Sequence, residues 1–183
     1  KNSGVSMLAQ GDISLDALDK MNIHSDVISQ GSGIAVSGGD VAITESEFSN
    51  GLGVAGAGDI KIDSTGAVNI QAGVQSEDGN IDISGQSISI SGTEKSNNFS
   101  VFGSGDITLS ATDDVTVNTG VYSDNGGIDI SGRNIELAGS DRTKGKVLIG
   151  QGDIAINATG DVGVRADIVS NNGALDISGR NIS

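Results

Sequence analysis

The stretch Gly-Asp-Ile-Lys-Ile at residues 58–62 has close copies at residues 11–15, 105–109 and 152–156. Consecutive copies start 47 residues apart each time, with no insertion or deletion between them. A fixed period of this length is typical of repeat architectures, in which each unit stacks on its neighbours. The chain therefore divides into units that start at residues 11, 58, 105 and 152, with residues 1–10 as the end of a preceding unit.

Alignment of the units gives ten columns, 39 positions in all, that hold only aliphatic residues or Met. Around the second unit these columns are Val54, Ile60, Ile62, Val68, Ile70, Val74, Ile81, Ile83, Ile88 and Ile90. Most columns come in apolar–polar–apolar triplets, such as Ile-Lys-Ile at 60–62 and Ile-Asp-Ile at 81–83. This alternation is the period-two pattern of a β-strand, in which the middle side chain lies on the opposite face. Gly, Asn, Asp and Ser separate the triplets every few residues, which predicts turns and leaves no room for a helix.

Each unit contains two similar halves, with offsets of 21 and 26 residues. Strands this short do not form stable isolated hairpins, but they can pair with their counterparts one coil away in a parallel β-helix. The sequence therefore predicts an all-β fold, a right-handed parallel β-helix (β-solenoid) with a 47-residue double-coil repeat. The right-handed form is expected because the six-residue repeat of left-handed β-helices is absent. About eight coils, each rising about 4.8 Å, give a rod about 38 Å long.

The longer half of each unit carries a variable segment, at residues 44–51, 91–98 and 138–145. Insertions in solenoids usually lie on one face, so we expect these loops to protrude from one side of the rod. Neither end of the chain has the polar sequence of a capping coil. Residues 1–183 are therefore expected to form a single β-helix that is a fragment of a longer repeat array.

The composition excludes several classes of protein and site. The chain has 29 Gly, no Pro, no Cys and a net charge of −14. The lack of Cys excludes a disulfide framework and a thiol nucleophile, and the lack of Pro suits strands whose amides all donate to a ladder. Because a strongly acidic chain repels phosphate backbones and anionic membrane surfaces, we expect no nucleic-acid partner. Apolar runs of only a few residues are too short for membrane insertion.

The second half of each unit follows the motif Gly-x-Ile-Asp-Ile-Ser-Gly-x-x-Ile-x-Ile, with its best matches at residues 79–90, 126–137 and 173–182. Together with the Gly-Asp-Ile copies, this motif resembles the stalk repeats of filamentous-haemagglutinin-like exoproteins. These are large adhesins and contact-dependent inhibition proteins that Gram-negative bacteria export by two-partner secretion. The resemblance covers the whole chain. It implies an extracellular or cell-surface fibre whose shaft separates a tip from the cell.

Carboxylates are the first candidates for a functional site. Four follow the motif glycine and three are predicted to face outward in mid-strand: Asp12, Asp59, Asp106, Asp153, Asp82, Asp129 and Asp176. Members of one column recur every second coil, about 9.6 Å apart, which is too far for two of them to share a calcium ion. We expect the first four to bond local amides in Asx turns and the other three to keep the rod soluble. Calcium held by neighbouring columns is the alternative, and we assign no metal and no cofactor.

Charged residues that interrupt the repeat are the second set of candidates: His24, Lys61, Lys95, Lys146 and Arg165. A polysaccharide lyase or glycosidase would need one groove with a unique cluster of carboxylates, whereas the outward acids recur in every unit. We therefore assign no catalytic residue and expect the chain not to be an enzyme. Lys61 is expected to form a weak surface pair with Asp82 one coil away. Arg133 and Arg180 are expected to be exposed turn charges.

The few aromatic residues are Phe48, Phe99, Phe102 and Tyr122. They fall near the variable loops and the coil ends. We expect them to fill gaps or cap turns rather than to form a receptor patch.

Three classes of function remain for such a rod. The first is the structural shaft of a large secreted or surface-exposed bacterial exoprotein, which projects an adhesive or toxic tip and mediates adhesion or cell–cell contact. The second is a self-assembling extracellular filament or matrix protein, and the third, ranked last, is a polysaccharide-active enzyme. The expected partners are neighbouring coils of the same protein. Beyond these, a host or neighbouring-cell receptor or glycan could be reached through other parts of the parent, or rods could associate into filaments.

Overall fold

A computed structural model describes residues 5–45, 47, 51–93, 95 and 99–183, without the side chains of residues 5 and 6. This described part of the chain contains 24 strands, numbered β1 to β24 in chain order, and no helix. It accordingly has no helix long and apolar enough to cross a membrane. The strands form three parallel sheets of eight strands each, here called sheets A, B and C.

Each sheet takes every third strand of the chain. Sheet A contains β1 (Val5–Ala9), β4 (Asp26–Ser29), β7 (Leu52–Gly56), β10 (Gly73–Ser76), β13 (Phe99–Gly103), β16 (Gly120–Ser123), β19 (Lys146–Gly150) and β22 (Asp167–Ser170). Sheet B contains β2 (Ile13–Asp16), β5 (Ile34–Gly38), β8 (Ile60–Ser64), β11 (Ile81–Gly85), β14 (Ile107–Ala111), β17 (Ile128–Gly132), β20 (Ile154–Ala158) and β23 (Leu175–Ser178). Sheet C contains β3 (Lys20–Ile23), β6 (Asp40–Thr44), β9 (Ala67–Gln71), β12 (Ser87–Ile90), β15 (Val115–Val117), β18 (Ile135–Leu137), β21 (Asp161–Val164) and β24 (Asn181–Ile182).

The chain visits the three sheets in turn, so one coil contributes one strand to each sheet. Every strand then pairs with its counterpart in the next coil: Ile60 of β8, for example, lies opposite Ile34 of β5 on one side and Ile81 of β11 on the other. Coils of the two lengths alternate along the rod. The predicted parallel β-helix with about eight coils is confirmed, while the hand of the coil stays a prediction.

The aliphatic columns form the core of the rod. Ile62, Val68, Ile70 and Ile83 each have no exposed surface, and their neighbours in the same columns are buried with them. The same columns open at the terminal coils, where Leu175 is 48% exposed, because a terminal coil packs against only one neighbour. Columns of stacked aliphatic side chains thus form this core without the aromatic side chains that ordinary globular cores contain.

Sheet A has a second inward column, which alternates Ser and Gly. It is not among the ten aliphatic columns because neither residue is aliphatic. The Ser of each shorter coil is buried at Ser29, Ser76 and Ser123 and half-buried at Ser170, and its Oγ donates to the carbonyl of the motif glycine of the preceding coil. The four bonds are Ser29 to Gly11 O at 2.8 Å, Ser76 to Gly58 O at 2.9 Å, Ser123 to Gly105 O at 2.8 Å and Ser170 to Gly152 O at 2.9 Å. Small residues suit this column because it lies next to the corner, and the hydroxyl gives the glycine carbonyl a hydrogen-bond partner.

The variable loop at residues 138–145 connects β18 of sheet C with β19 of sheet A. It closes on a tight turn in which Lys144 and Gly145 have φ angles of 52° and 80°. Loops of successive units contact each other: Arg142 Nη1 donates to Thr93 O, and Thr93 Oγ1 donates to Glu45 Oε2 at 2.6 Å. The loops at 44–51 and 91–98 lie partly outside the described residues. These contacts place the described parts of the three loops along the same corner of the rod.

Candidate functional site

Three of the four aromatic residues meet on the outer face of sheet A. Phe102 of β13 lies directly opposite Tyr122 of β16, with stacked rings whose centroids are 5.2 Å apart. Phe99 enters from the start of β13, and its ring centroid is also 5.2 Å from that of Tyr122, at a tilt of 40°. All three side chains are half-buried. The expected turn-capping role is wrong for Phe102 and Tyr122, since both lie within strands and point outward.

A groove of about 260 Å³ adjoins these rings on the side of the preceding coils. Leu52 forms one wall and Phe99 and Phe102 form the other, with Gly73 and Val74 as the floor. The groove exists because β10 carries Gly73 between Leu52 of β7 and Phe99 of β13, so no side chain fills the space between Leu52 and the rings. We call the groove together with Phe99, Phe102 and Tyr122 the aromatic groove.

The corner that joins sheet A to sheet B begins two residues after the groove residues Gln75 and Phe102, and it carries only one sign of charge. It comprises residues 10–12, 30–33, 57–59, 77–80, 104–106, 124–127, 151–153 and 171–174. It contains seven carboxylates and no Lys or Arg: Asp12, Asp59, Glu77, Asp78, Asp106, Asp124 and Asp153. One carboxylate is tied to the rings, because Tyr122 Oη donates to Asp124 Oδ1 at 2.8 Å. This hydrogen bond, with burial and the charge of Asp124 adding to it, raises the pKa of Tyr122.

The carboxylates that follow the motif glycine hold successive coils together. Each Oδ1 accepts a hydrogen bond from a backbone amide one coil further on: Asp12 from Gly33 at 3.1 Å, Asp59 from Asn80 at 2.8 Å, Asp106 from Gly127 at 2.8 Å and Asp153 from Ala174 at 2.7 Å. The predicted local Asx turns are therefore wrong, because the accepted amides lie 21 residues away. At Asp12, the hydroxyl of Ser32 and then the amide of Gly33 lower the pKa of the carboxyl group. These residues have a structural role that the motif alone could not assign.

The other sequence candidates lie apart from the aromatic groove. Asp82, Asp129 and Asp176 are exposed on the outer face of sheet B, as predicted. His24 is exposed, as predicted, with its ring against Thr44.

Two of the interrupting cations form ion pairs on the surface, and a third donates a hydrogen bond to a backbone carbonyl. Lys61 lies opposite Asp82 in the ladder, but its Nζ approaches Asp63 Oδ2 at 3.9 Å, so the expected pair with Asp82 is wrong. The side chain prefers the acid two residues along its own strand, on the same face. Arg165 pairs with Glu136 at 3.2 Å, and Lys95 Nζ donates to Glu47 O at 2.9 Å.

Arg133 does more than add solubility to a turn. Its guanidinium spans Asp113 at 3.2 Å and Asp114 at 3.3 Å in the preceding coil. Arg180, one unit later, is exposed as expected, and Lys146 is exposed at the start of β19. Phe48 lies outside the described residues. Within the described ranges, no group of three or more His, Asp or Glu side chains is close enough to hold a metal ion.

Asp26 is a buried acid that the sequence did not reveal. It begins β4 with only 8% of its surface exposed, and its Oδ1 has no hydrogen-bond partner among the described residues. Burial raises the pKa of this carboxyl group above its ordinary value of 3.8. The equivalent positions in later units are Gly73, Gly120 and Asp167. The sequence therefore pointed to Asp26 only by placing an acid in a column where two other units have glycine.

We expect Asp26→Asn to stabilise the protein at pH 7 by about 1 kcal/mol, because the neutral amide costs less to bury than a carboxylate. An acid whose pKa is raised by folding lowers stability above its unfolded pKa, and this penalty disappears when both states are protonated. The gain should therefore shrink as the pH falls through the folded pKa and vanish below about 3.8. Urea unfolding of both proteins across this pH range measures it.

Asp167→Asn is the matched control, since Asp167 occupies the same column but is exposed. It should change stability little at any pH. A gain from Asp26→Asn that is the same at pH 3 and pH 7 would show that packing, and not charge, is responsible.

Comparison with known proteins finds no relative of this chain: no family model, curated protein or solved structure matches it.

Proposed function

We propose that this chain is part of the structural shaft of a large secreted or surface-exposed bacterial exoprotein, of the filamentous-haemagglutinin-like kind that its repeats resemble. The observation that carries this proposal is that the pairing of the three sheets repeats from unit to unit, including the register shift that occurs in sheet A once in each unit. Ile81 of β11 contacts Ile107 of β14 as Ile34 of β5 contacts Ile60 of β8. Each added unit therefore lengthens the rod by about 9.6 Å without altering the fold, which is what a spacer between a cell and a tip requires.

The surface of the rod supports a spacer role as well. Outward columns of sheet B carry Asp, Ser, Thr, Lys and Asn, and hydrogen bonds run along them from coil to coil, such as Ser84 Oγ to Asp63 Oδ1 at 2.8 Å. Acids at the corner are engaged in backbone hydrogen bonds in every unit. We assign no catalytic step to the chain, because these carboxylates recur with the repeat instead of meeting at one place. A hydrated acidic coat keeps such a rod soluble outside the cell.

Electron microscopy of the full-length parent protein, combined with immunogold labelling by antibodies against residues 1–183, tests the proposal. We expect rods of one fixed length, and labelling along projections on intact, unpermeabilised cells. Fibres of indefinite length would favour the self-assembling filament instead. Labelling that appears only after the cells are permeabilised would contradict an extracellular shaft.

A further inference from the structure

One outward column of the rod is apolar where a solvated surface would be polar. On sheet A the residues that face outward opposite one another are Leu8, Ile28, Ala55, Gln75, Phe102, Tyr122, Ile149 and Val169. Apart from Gln75 and the hydroxyl group of Tyr122, the side chains of this column are apolar. The outward columns of sheet B are mostly polar. A continuous apolar stripe on an otherwise acidic surface is typical of an interaction site.

At the aromatic groove this stripe borders a partly open cavity. Tyr122 covers one face of the Phe102 ring, so the groove, which Phe102 lines, meets the opposite face or the edge of that ring. A flat group that enters between Leu52 and Phe102 would thus continue the stack of Tyr122 and Phe102. The volume of about 260 Å³ is enough for one large side chain and too small for a second rod.

The charges on the side of the groove towards sheet B select the occupant, whereas the corner on the other side carries both signs, with Lys95 against Glu47. Gln75 lines the groove, and Glu77 follows two residues later on the exposed corner. Asp124 lies two coils further along the same corner, held by Tyr122. A second copy of this chain would bring a further net charge of −14, so self-association through the stripe is disfavoured. A positively charged planar group satisfies the rings and the carboxylates together.

We propose that the aromatic groove binds an arginine side chain of a basic partner segment, which lies along the outer face of sheet A. The guanidinium stacks on the Phe102 ring, as planar cations do on aromatic faces, and its remaining donors face the carboxylates of the acidic corner. The methylene stem of the arginine contacts Leu52 and Phe99. Lysine has no planar head group and matches this groove less well.

The chain has a single Tyr and no Trp, so the Tyr fluorescence and ring NMR signals come from Tyr122 alone, which stacks on the groove residue Phe102. The probes are two capped octapeptides of equal charge, (Arg-Ser)₄ and (Lys-Ser)₄, titrated into the whole 183-residue chain at about 0.15 M salt. We expect the arginine peptide to change the Tyr122 signal saturably and to bind at least about threefold more tightly than the lysine peptide. Phe102→Ala should weaken the arginine peptide about five- to tenfold, as followed by anisotropy of a labelled peptide.

Ile149→Ala is the matched control, because Ile149 lies in the same outward column on the far side of Tyr122 and does not line the groove. It should bind as the parent does. Glu77→Gln gives a second variant that removes only charge, and it should weaken the arginine peptide about twofold. Equal affinity of the parent and Phe102→Ala, or of the two peptides, would overturn the proposal. So would a neutral glycan such as maltohexaose that shifts the Tyr122 signal when the arginine peptide does not.

Discussion

Ile90→Asp should lose at least about 4 kcal/mol of stability, which is a large part of the total for a domain of this size. Ile90 has no exposed surface and sits in the aliphatic column between Ile70 and Val117. A carboxylate there would be surrounded by methyl groups above, below and across the coil, with no hydrogen-bond donor to pair with. Thermal unfolding and hydrogen exchange would measure the loss, and exchange should locate it first in the coils next to β12.

Ser89→Asp is the matched control, since it places the same side chain one residue earlier in the same strand. Ser89 points outward, and its ladder neighbours are the uncharged Asn69 and Thr116. We expect a change within about 0.5 kcal/mol. Comparable losses in the two variants would mean that the inward and outward assignments of β12 are wrong.

Deleting ten residues, 58–67, should harm the rod more than deleting the 47 residues 58–104. The longer deletion removes one whole unit and joins Ala57 to Gly105, which restores the motif and the alternation of longer and shorter coils. The shorter deletion removes all of β8, so that coil cannot reach sheet B, and β5 and β11 lose the strand between them. The aliphatic ladder of sheet B would be cut in the middle of the rod.

Circular dichroism and small-angle X-ray scattering distinguish these outcomes. The 47-residue deletion should keep the strand spectrum and a cooperative unfolding transition, with a rod about 9.6 Å shorter than the parent. The ten-residue deletion should lose most of its cooperative transition. A 47-residue deletion that unfolds as readily as the shorter one would show that the units are not interchangeable, and would weaken the shaft proposal.

The period of 47 residues and the aliphatic triplets were enough to predict the fold, because a ladder requires the same kind of residue at the same place in every coil. Ile60 is opposite Ile34 and Ile81 in the structure because all three belong to columns that the alignment had identified. The same search missed the buried Ser76, since a column of alternating Ser and Gly has no apolar signature. It is recognised only through the hydrogen bond from Ser76 to Gly58.

The sequence by itself determined the strand pattern, the coil lengths and the parallel stacking of successive coils. These features depend on the spacing of residue types along the chain, which can be read without coordinates. It could not determine which outward residues meet. Phe102 and Tyr122 are 20 residues apart and look unrelated in the chain, yet closure of the coil stacks their rings 5.2 Å apart. Tertiary structure likewise decided which acid pairs with Lys61, which amide donates a hydrogen bond to Asp59, and that Asp26 is buried. In each case the outcome depends on the backbone conformation of a corner and on the direction of a side chain. The repeat pattern of the sequence does not specify either of them.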